Sequence, residues 1–122
     1  MNVNDKQVGG THYKHQSYQH WDFAVDVAGN DAYLKGCASK YVIRYKDKNG
    51  IEDLRKSLHY IDKIEQVCCP VAITDFTTMM LLSDFVSQLE PAVGKIVTAI
   101  YRNNLDVARA GIEGLISDYN TK

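Results

Sequence analysis

Hydrophobic positions along this chain recur at three- and four-residue intervals, the rhythm of helices that bury one face. In WDFAVDVA, Trp21, Val25 and Ala28 fall on one stripe, with Phe23 and Val27 beside it, and Gly29-Asn30 ends the segment. Asp31 stands where a cap is expected, ahead of a second helix whose buried side carries Tyr33, Leu34, Cys37, Tyr41 and Tyr45. Asn49-Gly50 breaks that helix. Ile51, Leu54, Leu58 and Ile61 then set a third, which Cys68-Cys69-Pro70 closes. From Thr74 the pattern changes. Thr74 is expected to cap DFTTMMLLSDFVSQL, which is apolar nearly all round. Pro91 suits the first turn of PAVGKIVTAIYRN, and a last helix is expected from Leu105 to Tyr119. The pattern predicts an all-α fold. A compact helical domain over residues 1–66 is built on a central helical hairpin, and residues 67–122 form a C-terminal helical packing or self-association module.

The polar positions add a charge pattern. Between Lys35 and Lys56 stand seven bases (Lys35, Lys40, Arg44, Lys46, Lys48, Arg55, Lys56) and three acids (Asp47, Glu52, Asp53). The whole chain has a net charge of -1, so this excess is localised, and its natural partner is an anion. Gly36, Lys40 and Arg44 recur every fourth residue and form one stripe. Glycine costs a helix up to about 1 kcal/mol against alanine, which suits a position where a ligand or a neighbouring backbone must come close. Lys40 and Arg44 would supply a point charge and a planar fork. A solvent-facing basic stripe has the same spacing. Glu52 and Asp53 sit in the first turn of the third helix, where the dipole favours acids; Asp53 is also a candidate for a metal or proton-transfer role. Arg55 and His59 lie one turn apart, and Tyr60 is placed to stack on a base. Asp22 and Asp26, an i, i+4 pair, fit either a solvated face or a Mg²⁺ site. Gly9-Gly10-Thr11-His12-Tyr13 reads either as an N-terminal arm that turns, or as a loop whose backbone N–H groups approach a phosphate.

Composition narrows the classes. At 122 residues this is one domain, or one with an appendage, long enough for a core without disulfides. The overall charge argues against a general DNA-coating protein. Cys37, Cys68 and Cys69 make an odd set with a vicinal pair, which fits a reducing cytoplasm. No apolar run approaches the roughly 20 residues of a membrane span, and the N-terminus lacks a signal-peptide core. There is no GxxxxGK[ST] and no CxxC; a zinc site from His12, His15, His20 and Cys37 would need distant segments to converge.

QVGGTHY at Gln7–Tyr13, HWDF at His20–Phe23 and LKGCASKYVIRYKDKNGIEDLRKSLHYIDK at Leu34–Lys63 resemble a family of small tailed-phage proteins long described only as a domain of unknown function. Gly36, Lys40, Tyr41, Arg44, Tyr45, Lys48, Gly50, Asp53, Leu54, Lys56 and Tyr60 fall on its pattern, which covers about the first 65 residues. One branch, in lytic coliphages, is a nucleotide kinase without a P-loop that phosphorylates deoxynucleoside monophosphates such as dTMP and dGMP and assembles into oligomers. The resemblance therefore implies a small-nucleotide partner, phosphoryl transfer with Mg²⁺ and a homo-oligomer, which the C-terminal helices are expected to build; a host cytoplasm is expected, with no membrane partner and with nucleic acid disfavoured by the overall charge. Lys40, Arg44 and Lys48 would neutralise phosphates while Gly9, Gly10 and Thr11 donate to them. His12 would contact phosphate or act as acid or base, and Asp53 would hold metal-bound water. Tyr13, Trp21, Gly36, Tyr41, Arg55, Lys56, His59 and Tyr60 complete the expected nucleotide site.

Three rivals stand beside a kinase. A non-catalytic phage protein would bind a nucleotide or a host protein, with the apolar C-terminal helices as its docking surface. An all-α nucleotide pyrophosphatase would need facing ExxE pairs, whereas the central helices here are rich in bases. Nucleic-acid binding by the basic hairpin is opposed by the overall charge.

Overall fold

The computed structural model describes residues 3–8, 17–67 and 75–120. Its elements are α1 (His20–Ala28), α2 (Ala32–Arg44), α3 (Ile51–Val67), α4 (Phe76–Val86), α5 (Pro91–Tyr101) and α6 (Leu105–Asn120). Short 3-10 turns cover Val3–Asp5 and Tyr45–Asp47. Among the described residues there are no strands, so the fold is all-α.

Four helices close a ring of contacts: α2 packs on α3, α3 on α6, α6 on α5, and α5 back on α2. The core inside that ring draws on all four, with Ala38 and Val42 from α2, Leu54 and Ile61 from α3, Val97 and Ile100 from α5, and Ala108 and Ile112 from α6. Each of these eight is wholly out of solvent. Burying side chains of the size of leucine, isoleucine or valine contributes about 1.5–3 kcal/mol apiece, so the C-terminal helices and the basic hairpin stabilise one another through a shared interior. A smaller cluster of Trp21, Val25, Leu34 and Ile64 joins α1 to this body.

The turns follow their chemistry. Gly29 ends α1 with φ of 72° and its N–H bonded to the Val25 carbonyl, a left-handed conformation that glycine adopts without strain. Gly50 does the same at φ of 59° between α2 and α3, with the Tyr119 hydroxyl 2.7 Å from where a Cβ would stand. Two expected caps differ in detail. Asp31 holds the N-cap position of α2 but makes no capping bond. Its carboxylate is buried and reaches one turn on to Lys35 Nζ at 3.3 Å, and Asn30 Oδ1 accepts the Ala32 N–H instead. In α4 it is Asp75 that accepts the Thr78 N–H, at 2.8 Å; Thr74 and the Cys68-Cys69-Pro70 stop lie outside the described residues. The turn pairing of α3 and α6 is reinforced by Arg109, which bridges to Asp62 and Glu65.

Helix α4 has no buried residue. It lies against α5 and leaves Phe76, Met80, Leu81 and Phe85 in solvent. The apolar surplus noted in the sequence is therefore displayed there.

Close approach of α5 and α6 depends on Gly111, where a Cβ would stand 2.6 Å from Ile96 Cγ1. Gly111→Val is expected to overpack this contact and lower stability by about 1–3 kcal/mol, read as a fall in the urea midpoint at unchanged slope.

Candidate functional site

Two hollows flank the hairpin. The first, of about 290 Å³, is walled by α1, α2 and α3 on one side and by the N-terminal segment on the other. Tyr33, Tyr41, Tyr60 and Trp21 give it an aromatic lining, His20 and His59 add imidazoles, and Lys56 and Lys6 supply charge. The rings support one another: Tyr41 stacks on Tyr60 at 5.8 Å, and Trp21 meets both Tyr60 and His59 edge-on. Burial, and after it the nearby Cys37 thiol, pushes the Tyr33 hydroxyl up to about 12. Burial raises Tyr60 further still. Both phenols therefore remain neutral hydroxyls that donate and accept hydrogen bonds.

The second hollow is a shallower groove of about 560 Å³ between α2 and α4. Gly36, Lys40 and Arg44 line its α2 side, as their four-residue spacing requires, and Leu81, Leu82 and Phe85 line its α4 side.

Tyr41 lines the first hollow, and cations that line both approach its ring. Lys40 Nζ and Arg44 Cζ each lie 4.7 Å from its ring centroid, and Lys56 Nζ lies 5.4 Å away. An electron-rich ring face attracts a cation, but three cations around one ring also repel each other. Only Arg44 is balanced by a carboxylate, that of Asp53; among the described residues neither Lys40 nor Lys56 forms a salt bridge. The arrangement is suited to an anion bound beside the ring.

Asp53 has a different task from the one its sequence position suggested. It is fully buried, and its oxygens accept bonds from the Arg44 fork, the Asn49 N–H and the Asn49 side chain. Burial works against its ionisation, but these bonds outweigh it and hold the carboxyl below its ordinary value. With its lone pairs so occupied it locks the α2–α3 turn and aims Arg44. The Asp22/Asp26 pair is likewise split between Lys63 and the Tyr18 hydroxyl. Among the described residues no group of three or more His, Cys, Asp or Glu is placed to hold a metal.

Of the other expected site residues, Gly36, Lys40 and Arg44 share the groove, whereas Trp21, Tyr41, Lys56, His59 and Tyr60 share the aromatic hollow. Lys48 and Arg55 are exposed and line neither. Lys35, counted in the basic excess, is buried against Asp31. Gly9, Gly10, Thr11, His12 and Tyr13 lie outside the described residues.

No pattern along the chain marks what fixes the N-terminal wall. Lys63 is almost completely buried, its Nζ donating to Asn4 Oδ1 at 2.8 Å and to Asp22 Oδ1 at 2.7 Å. Asn4 Oδ1 also accepts the Trp21 indole N–H, and Asn4 Nδ2 donates to Asp22 Oδ2. Gln19 donates to the Asn4 carbonyl, and His59 Nε2 lies 3.1 Å from the Val3 carbonyl. The segment that continues into Lys6, Gln7 and Val8, all lining the aromatic hollow, is thus tied down by a buried ammonium. Asn4, Gln19 and Lys63 carry no motif; only the contact between distant segments reveals them. His59 is held below its usual value by burial above all, so it faces the hollow as a neutral imidazole at neutral pH.

Residues 9–62 match a protein family described as being of unknown function, DUF3310. The match covers α1, α2 and most of α3, the elements that wall the aromatic hollow and carry the cations around Tyr41. Comparison with curated proteins and with solved structures returned no significant match. Among the described residues no helix is long and apolar enough to cross a membrane.

Lys63→Met is expected to lower stability by about 3 kcal/mol, because it leaves the Asp22 carboxylate and the Asn4 amide without their partner. Asp22 is desolvated, yet bonds from Lys63, the Gln19 backbone and Asn4 depress its carboxyl below 3.8. The contribution is therefore complete above that value and is lost as pH falls through the folded-state one. Urea unfolding of both proteins between neutral and strongly acid pH should show the difference shrinking only at the acid end.

Proposed function

We propose that this chain binds a deoxynucleoside monophosphate and transfers a phosphoryl group to it. The observation that supports this most directly is the meeting of the aromatic hollow with the cations around Tyr41. The base lies among Tyr33, Tyr41 and Tyr60, where a flat π-system finds stacking partners and hydroxyls for its polar edge. The phosphate then reaches Lys56 and Lys6 at the rim. Phosphoryl transfer asks the protein mainly for positioning and charge neutralisation, and Lys40, Arg44 and Lys56 supply the second at one place. The resemblance of residues 7–63 to the tailed-phage family, one branch of which is a P-loop-less kinase, supports the same chemistry. Mg²⁺ belongs to this proposal as an ion that the phosphates carry in.

A thermal-shift screen of nucleoside mono-, di- and triphosphates, with and without Mg²⁺, tests it, since a ligand of the native state raises the melting temperature. We expect a deoxynucleoside monophosphate to stabilise the wild type. Lys56→Ala should weaken that binding by roughly tenfold, the loss of one charge-assisted contact, at unchanged unliganded stability. A coupled assay of diphosphate formation then separates a kinase from a binding protein, which returns the nucleotide unaltered. No stabilisation by any nucleotide would remove the proposal.

The same chain is proposed to self-associate through α4. By helical spacing Phe76 and Met80 lie on the stripe of α4 turned away from the groove, and both are exposed, Phe76 by 76%. Exposed apolar residues grouped on one helix mark an interaction surface. Light scattering during size exclusion should give an oligomer for the wild type and a monomer for the double change Phe76→Lys, Met80→Lys. A monomeric wild type would dismiss this interface and leave α4 as the docking face for another protein.

A further inference from the structure

We infer that the groove between α2 and α4 is the site of the phosphoryl donor, a nucleoside triphosphate, bound at the same time as the monophosphate in the aromatic hollow. This rests on the kinase reading above and assigns a second site to it.

Gly36 is the first observation. It lies inside α2, where glycine weakens a helix. No positive φ requires it, and a Cβ built there would meet nothing within 4 Å. Neither backbone conformation nor packing within the chain explains the missing side chain. Open space above it, at the floor of the groove, is room for something else.

The composition of the groove says what fits. Its α2 side presents Lys40 and Arg44; its α4 side presents Leu81 and Phe85. Ser39 and Tyr101 close the end with hydroxyls 3.3 Å apart. A ligand with an anionic end and a flat, weakly polar end matches both sides. A base and sugar lie over Phe85 and Leu81 while the phosphates run past Gly36 to Lys40 and Arg44. An all-apolar occupant would leave Lys40 without a counter-charge, and inorganic phosphate would leave the apolar side bare.

The third observation is where the groove ends. Lys40 and Arg44 belong to the groove and Lys56 to the aromatic hollow, yet all three stand within 5.4 Å of the Tyr41 centroid. Phosphates entering from opposite sides meet at one set of cations. An oxygen of the monophosphate attacks the γ-phosphorus and forms a new P–O bond. The bond from that phosphorus to the β,γ-bridging oxygen breaks, and its electron pair stays on the β-phosphate. Two nucleoside diphosphates result, and with both reactants fully ionised no proton changes hands. The cations stay close to the charge throughout and need not move.

The test uses the full chain with Gly36→Leu, which fills open space on a helix and is expected to fold. Phe85→Ala is the second variant. Calorimetric titration is run separately with dTMP, with a triphosphate whose β,γ-bridge is imido, and with a dinucleoside pentaphosphate that spans both hollows. The expected result is a fall of at least roughly tenfold in triphosphate and pentaphosphate affinity for both variants, with dTMP affinity unchanged. If the wild type binds dTMP and either fails to bind the triphosphate or binds it equally well after Gly36→Leu, the donor site is not here, although the monophosphate site stands. If Gly36→Leu instead lowers the molecular mass in light scattering and spares triphosphate affinity, the groove belongs to a second copy of the chain. If the wild type binds neither nucleotide class, the kinase reading itself fails and takes this one with it.

Discussion

A buried ammonium decides the shape of the aromatic hollow. Lys63 extends from α3 into a space closed by α1 and the Val3–Asp5 turn, and Asn4 and Asp22 take its charge. Burying a lysine is costly unless its charge is paired and its donors are satisfied. That cost makes the contact selective: the ammonium needs both an amide oxygen and a carboxylate, and Asn4 and Asp22 supply them together. Asn4 in turn receives the indole N–H of Trp21, so the ring that backs the hollow is oriented by the same group that anchors its outer wall. If the strap were differently placed, Lys6, Gln7 and Val8 would leave the hollow and its rings would face solvent.

A second constraint works on the other side of α2. Asp53 is buried at the start of α3 and holds the Asn49 N–H and the Arg44 fork. It does at the hairpin turn what Asp22 does at the N-terminus, using one carboxylate to fix a cation and a backbone segment together. The consequence is that Arg44 has a defined position over Tyr41, with a third of its side chain still accessible. Lys40 and Lys56 are brought near the same ring with no carboxylate of their own among the described residues. Around Tyr41 three cations converge on one ring and, among the described residues, only Arg44 has a carboxylate beside it; that concentration is the physical basis for looking there for an anion.

Much of this was legible in the chain. The helices follow their apolar spacing because each buries one stripe, and Gly29 and Gly50 stop them for the conformational reason that glycine usually does. The Gly36, Lys40 and Arg44 stripe lines a groove as its period demands. What sequence spacing cannot show is which elements from distant parts of the chain face one another. Asp53 looked available for metal chemistry because the first turn of an isolated helix is open to water. In the fold the preceding turn doubles back over it. Lys35 looked like part of a basic surface, but it points inward to Asp31. Asn4 and Lys63 are separated by the whole of the matched region, and no local pattern links them. The division of the expected residues between two hollows was hidden for the same reason: adjacent residues on a helix, such as Lys40 and Tyr41, face in different directions.

Under the proposed kinase reading, that division bears on how a chain this small would hold two charged partners. A single deep pocket would have to accept both in turn or widen to hold both together. Two hollows on either side of one helix, sharing cations at a tyrosine, avoid the need for a large cavity. Tyr41 is well suited to the boundary. Its ring attracts the cations without neutralising them, since a quadrupole holds an ammonium or guanidinium without supplying a counter-charge. A carboxylate in its place would quench them and repel phosphate. Stacking on Tyr60 keeps the ring upright, and Tyr60 is itself held by Trp21, whose indole leads back to Asn4 and Lys63. The position of the cations is thereby coupled, ring by ring, to the buried ammonium that anchors the N-terminal wall.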